Sequence, residues 1–155
     1  MEFTDRIKQH MNPEIVYTKE DERLTDVIFR MSDKKTDLAV VKTNDTIIGV
    51  ITESDIFYAL VKKVFAQEPQ TKKNILVHDI VQEPSAKQVM TSCETHGWHP
   101  CIDTFEDDSI ENAIRIMQRS GLHHLLVFDK NNKLVGTLSS HDIIKSFCEN
   151  TKVNK

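Results

Sequence analysis

A hydroxyl and a carboxylate three residues apart occur twice in this chain, in the phrases GVITESDI (49–56) and GTLSSHDI (136–143). The pairs are Thr52 with Asp55 and Ser139 with Asp142, and each follows its glycine at the same intervals. A carboxylate can accept two hydrogen bonds from a vicinal diol, and a hydroxyl is an adaptable donor. Where a strand runs through a glycine into a helix start, such a pair stands beside unpaired backbone N–H groups. Those groups and the positive end of the helix dipole attract phosphate. The chemistry open to such a pair is the binding of a sugar phosphate. The same spacing before an apolar run is also a helix capping box, which needs no ligand. The two roles are compatible, since the hydroxyl can cap while the carboxylate binds.

The elements that must position these pairs repeat as well. Gly136, Ser139 and Asp142 each follow Gly49, Thr52 and Asp55 by 87 positions, and an internal repeat constrains architecture before anything else does. Upstream of each phrase lies a short apolar run, LAVV (38–41) or LLVF (125–128), then a polar segment, KTNDT or DKNNK. Both read as hairpins. Before each hairpin an amphipathic helix is expected, from Leu24, Val27, Ile28 and Met31 and from Ile110, Ala113, Ile114 and Met117. Met117 follows Met31 by 86 positions, which places one extra residue near Ser120 to His123. Asp108 and Glu111 read as a capping box for the second of these helices. Earlier strands are expected at 14–18 and 101–105. Later helices are expected around Ile56, Ala59 and Leu60 and around Ile143, Ile144 and Phe147, with helical turns near 62–66 and 75–81 between the halves. Each half is strand, helix, strand, strand, helix. Three strands cannot bury both faces alone, so the halves are expected to pack through their small sheets as an α+β fold.

Composition narrows the function classes. The chain has 155 residues, 39% hydrophobic and 28% charged, with a net charge of −4, which provides no basic footprint for nucleic acid. No apolar run approaches a membrane span, and the acidic start does not suit a signal peptide. Three cysteines fit a reducing, cytoplasmic setting better than a disulfide framework.

With these residues in view, the chain resembles a tandem pair of CBS domains, the family named for cystathionine β-synthase. The resemblance rests on GVITESDI and GTLSSHDI, on Met11-Asn12-Pro13 and Val89-Met90-Thr91 as openings, on the helices ending in Met31 and Met117, and on the valine-rich strands. It divides the chain into a first repeat at 8–66, a connector at 67–88 and a second repeat at 89–150. It implies two pseudo-symmetric β-α-β-β-α repeats and a regulatory, non-catalytic module. Such a module binds AMP, ADP, ATP or S-adenosylmethionine, forms a homodimer and acts on an unidentified partner protein. It also implies that Thr52 and Ser139 meet phosphate or ribose while Asp55 and Asp142 hold the ribose hydroxyls. An adenine ring then needs an apolar slot. Ile15 and Val16, and Cys101 and Ile102, are the expected walls, completed by Thr36-Asp37 and by His123-His124.

The copies differ in charge. Glu53 adds an anion to the first phrase, whereas the second carries Ser140 and His141, and an imidazole suits a phosphate better. The Ser139/Asp142 site is therefore the expected phosphate-binding one. The Thr52/Asp55 site is expected to be empty or to take an uncharged or cationic adenosyl group. Cys93, His96, His99 and Cys101 are ligand types that suit tetrahedral zinc, but their spacing matches no established motif; a surface loop or a flap over a ligand, with Trp98 anchoring it or stacking on adenine, is the competing reading. Cys148 reads as a small buried side chain. Two other classes stay open: a ligand-free dimerisation scaffold in which the phrases only cap helices, and a metal-binding protein centred on the Cys/His loop.

Overall fold

Short β-branched and leucine-rich runs pair into two three-stranded sheets. The computed structural model describes residues 1–65, 75–81 and 103–152. In the first half β1 (Val16–Thr18), β2 (Leu38–Thr43) and β3 (Thr46–Thr52) form one sheet in that order. In the second, β4 (Asp103–Phe105), β5 (His124–Phe128) and β6 (Leu134–Ser139) form the other. Each opens with a parallel pair and closes with an antiparallel hairpin. The parallel pairs are joined by crossover helices, α1 (Leu24–Asp33) and α3 (Ile110–Ser120). Helices α2 (Glu53–Phe65) and α4 (Ser140–Lys152) follow the phrases directly. Among the described residues the architecture is mixed α+β, with two small sheets and four α-helices. β1 begins at Val16, two residues later than expected, and Cys101 and Ile102 lie outside the described residues.

The crossover helices bury the residues their periodicity selects. Leu24, Val27 and Met31 on α1, and Ile110, Ala113 and Met117 on α3, are all buried, while Ile28 and Ile114 are partly so. The cap of α3 falls one residue later than expected. Ser109 accepts the Asn112 N–H at 3.2 Å, whereas Asp108 turns back to accept from the Phe105 N–H and the Thr104 hydroxyl. Helices α2 and α4 bury less than expected: Ala59 and Ile143 are inside, but Leu60, Ile144 and Phe147 are exposed. Cys148, expected inside, is exposed too.

The strand registers correct the position of the extra residue. Leu38 faces Thr52 and His124 faces Ser139, so β5 is still 86 positions behind β2 while β6 is already 87 behind β3. The difference arises in the hairpin turn, not near Ser120 to His123. Asn44 and Asp45 both have positive φ (48° and 64°), the signature of a two-residue type I′ turn. The second hairpin is one residue longer. It closes with the Asp129 N–H on the Lys133 carbonyl and a left-handed Asn132 (φ 58°). Asp129 Oδ1 accepts the N–H groups of Asn131 and Lys133, which holds its carboxyl below the usual range.

Each sheet completes its core with a segment from elsewhere in the chain. One compact unit comprises Met1–Glu14 with Pro84–Lys155, the other Ile15–Glu83. In the former, a 3-10 turn at Ile7–Gln9 places fully buried Ile7 among Ile110, Ala113, Leu125 and Leu138. In the latter, a 3-10 turn at Val77–Asp79 places fully buried Val77 among Val16, Val27, Ala39 and Ile51. The backbone bonds match pair by pair. The Ile7 N–H donates to the Asp108 carbonyl and Lys8 to Glu106, as Val77 donates to Glu22 and His78 to Glu20. Residues 75–81 thus form a strap across the first sheet, as residues 5–12 do across the second. After Ile7, Asn12 pairs antiparallel with Thr137, each N–H donating to the other's carbonyl at 2.8 and 2.9 Å.

This closure explains one glycine. A Cβ on Gly136 would lie 2.7 Å from the Asn12 carbonyl oxygen, a backbone atom, and 3.0 Å from the Met11 sulfur. Near the far end of the first sheet, the Glu22 carboxylate pairs with the Arg30 guanidinium and accepts the Thr18 hydroxyl at 2.7 Å. The Arg30 hydrogen bond, aided by that of Thr18, holds the Glu22 carboxyl at about 2 against the opposing pull of burial.

Two outcomes follow. Gly136→Ala should destabilise the unit by about 1–3 kcal/mol, because the strap's backbone must move, and a calorimetric melt should show the loss. Glu22→Gln should cost about 1 kcal/mol at pH 7 after allowance for partial exposure. Because the folded pKa is depressed, that contribution is present above the usual glutamate value of 4.5 and is lost as pH falls towards about 2. The stability difference between wild type and variant, measured by urea unfolding, should shrink over that window.

Candidate functional site

The two phrases fold into the same junction. In the first, the Thr52 N–H and hydroxyl both donate to Asp55 Oδ2 at 2.8 Å, and the Asp55 N–H donates back to Thr52 Oγ at 3.4 Å. In the second, the Ser139 N–H and hydroxyl donate to Asp142 Oδ2 at 2.8 Å, and the Asp142 N–H returns to Ser139 Oγ at 3.1 Å. This is a reciprocal capping box, which satisfies donors that a helix start otherwise leaves open. Thr52 is 8% exposed and Ser139 2%, so the hydroxyls are committed to the lock. The carboxylates are only half-buried. For Asp142, Oδ1 accepts no hydrogen bond among the described residues and is available to a ligand's hydroxyl.

The residue before each hairpin closes the junction from the other side. The Glu53 N–H donates to the Asp37 carbonyl at 3.1 Å, and the Ser140 N–H to the His123 carbonyl at 2.9 Å. Leu38 is buried opposite Thr52, while half-buried His124 stands opposite Ser139. The residues that adjoin the first lock in chain or register are Asp37, Leu38, Glu53 and Ser54; those that adjoin the second are His123, His124, Ser140 and His141. Two acidic residues adjoin one junction and three histidines the other. This difference was only half visible in the phrases, because recognising Asp37 and His123 as equivalents requires the strand register.

Of the other expected site residues, Thr36 is buried and its hydroxyl is turned to the Leu38 carbonyl at 3.1 Å. Val16 is packed in the core of the first unit, and Ile15 is half-buried at its edge. Their counterparts by register, Cys101 and Ile102, lie outside the described residues, as do Cys93, His96, Trp98, His99 and the Val89-Met90-Thr91 opening. Among the described residues no group of three or more His, Cys, Asp or Glu is placed to hold a metal ion. Nor is any helix long and apolar enough to cross a membrane.

The CBS domain profile matches this chain twice, over residues 7–62 and 86–149. The chain belongs to the CBS-domain family. Its two CBS repeats are similar in sequence to an uncharacterized protein of Methanocaldococcus jannaschii, 26% identical over 153 residues (97% of this chain, 47% of the other). A second relative, from Methanopyrus kandleri, is 28% identical over 108 residues, covering 70% of this chain and 44% of the other. The chain thus spans about half the length of the curated relatives it matches.

Solved structures share the CBS-pair fold. An uncharacterized conserved protein from Pyrococcus horikoshii superposes with a TM-score of 0.68 at 18% identity, covering 94% of each chain. A CBS domain protein from Pyrobaculum aerophilum, solved with AMP, gives 0.63 at 21%, covering 89% of each. A CBS domain pair in complex with 5′-methylthioadenosine and S-adenosyl-L-methionine gives 0.66 at 16%, covering 94% of this chain and 98% of that one.

Proposed function

We propose that this CBS pair is a non-catalytic sensor of an adenine-containing metabolite, and that the Ser139/Asp142 junction is its site for a phosphorylated ligand such as AMP, ADP or ATP. One observation carries the assignment. The second lock presents a carboxylate oxygen without a protein donor among the described residues and is adjoined in chain and register by His123, His124 and His141, whereas Asp37 and Glu53 adjoin the first. A ribose diol can bridge to Asp142 Oδ1 while the imidazoles meet the phosphate. At the first junction two extra carboxylates repel a phosphate, so an uncharged or cationic adenosyl group such as S-adenosylmethionine suits it better. Support from elsewhere in the family is of kind only: two structural relatives were solved with AMP and with S-adenosyl-L-methionine.

The output passes to an unidentified protein, or through a homodimer in a reducing cytoplasm. The dimer reading rests on uncovered apolar residues at equivalent places on α2 and α4. Phe57 and Leu60 are 64% and 46% exposed, and their counterparts Ile144 and Phe147 are 61% and 53%. The competing reading, a scaffold whose phrases serve only as caps, is favoured by the buried, mutually bonded hydroxyls.

Isothermal titration with AMP, ATP and S-adenosylmethionine separates them. Asp142→Ala should weaken AMP or ATP binding at least tenfold, about 1.4 kcal/mol, while Asp55→Ala leaves it within about threefold. Loss of a cap costs both variants about 1 kcal/mol of stability, so melts must confirm that each is folded at the titration temperature. Equal loss in both variants would reject the assignment, and no binding of any adenosyl compound would leave the scaffold. Sedimentation equilibrium tests the dimer: Phe57→Asp with Phe147→Asp should yield a monomer, and an unchanged mass would place the interface elsewhere.

A further inference from the structure

The N-terminal strap meets the second lock along one strand edge. β6 is an outer strand of its sheet. Thr137 donates its N–H to the Asn12 carbonyl at 2.9 Å and accepts the Asn12 N–H at 2.8 Å. Its pairing with Leu126 on β5 is therefore of the kind without hydrogen bonds. Ser139, two residues on, has the same parity and turns its N–H to the same edge, where Asp142 Oδ2 accepts it at 2.8 Å. Strap and carboxylate thus hold successive positions on the side of β6 that faces away from β5. The strap also finishes α3. The Ile110 N–H donates to the Asp5 carbonyl at 3.0 Å and the Glu111 N–H to that of Phe3 at 2.9 Å, two donors that a helix start leaves open.

Such a segment can leave as one piece. Its apolar hold is a single fully buried side chain, Ile7, with Met1 and Met11 partly buried against the same core. Around that anchor Glu2, Phe3, Thr4, Arg6, Lys8 and Gln9 are exposed, and so is the Lys8–Asp107 ion pair at 2.6 Å. A segment with one anchor among exposed residues opens at a lower free energy than the sheet it covers. Opening it removes the partner of Thr137 and loosens β6 where that strand places Ser139; unlocking Ser139 loosens the same edge from the other end. We infer that the strap is a clasp, which opens while the rest of the second unit stays folded and whose closure is coupled to the Ser139/Asp142 lock. The strap is then a two-state element that the lock biases, and such coupling is reciprocal. Whatever tightens the lock tightens the strap. Transmission of a ligand's arrival at Asp142 to the chain's N-terminus rests on the nucleotide reading; the coupling itself needs no ligand.

Amide hydrogen exchange of the whole chain, read residue by residue by NMR, tests the clasp. The strap donors are the N–H groups of Ile7, Lys8 and Asn12. In the wild type they should exchange together, at least about tenfold faster than the amides of the central strand β5. Asp142→Ala should speed them at least about fivefold and leave them still faster than β5. Asp55→Ala, in the lock of the other unit, should leave them unchanged. Ile7→Ala should in turn speed the lock amides, those of Ser139 and Asp142. Should Asp142→Ala or Ile7→Ala fail to fold, Ser139→Ala and Lys8→Ala make the same comparison, the latter removing only an exposed ion pair. AMP at saturation should slow the strap amides. Strap amides that exchange in step with β5, that ignore Asp142→Ala, or that respond equally to Asp55→Ala overturn the inference. So does AMP whose binding needs Asp142 yet leaves them unchanged. Absence of AMP binding counts against the nucleotide reading alone.

Discussion

Neither sheet is closed by its own repeat. Each three-stranded sheet and crossover helix leaves one apolar hole, filled by a fully buried residue, Ile7 or Val77, carried in on a 3-10 turn. Burying such a side chain contributes about 1.5–3 kcal/mol, a large part of what a small unit has to spare. The backbone bonds of the strap then dictate the rest. They bring Asn12 alongside Thr137, exclude a side chain at Gly136, and so set the course of β6 two residues before it delivers Ser139 to the junction.

At the junction, strand end and helix start are fixed by a single carboxylate oxygen that takes two donors from one residue. The lock leaves the identity of the surrounding side chains unconstrained. That is why the same backbone can carry two acids in one copy and three imidazoles in the other without disturbing the cap. Rigidity is supplied by the shared geometry and selectivity by what differs around it. The two turns that close the cores follow the same logic: their backbone bonds match, while Asp5 and His10 of one are Ile75 and Ile80 in the other.

The order of elements, the two amphipathic helices and the repeat itself were legible because each rests on local periodicity. The paired Thr52/Asp55 and Ser139/Asp142 were legible for the same reason. Where the one-residue offset enters was not. KTNDT and DKNNK have equal length, yet Thr43 still belongs to a strand and Asp129 to a turn, and only pairing registers tell these apart. The left-handed pair Asn44-Asp45 was the available clue. The partial exposure of α2 and α4 also escaped, since an apolar stripe does not say what covers it. The role of 75–81 was invisible as well. Its bonds to Glu20 and Glu22 cross more than fifty residues of chain, and no local pattern reports such a contact.

The borrowed turns bear on how such a chain can be inherited. In the first half the sheet and the turn that fills it lie on one continuous stretch, Ile15–Glu83, whereas the second half takes its turn from Met1–Glu14 and its sheet from Pro84–Lys155. The first unit can therefore be cut out or copied as a single piece with its hole filled. The second can be obtained only by joining two separated pieces of chain.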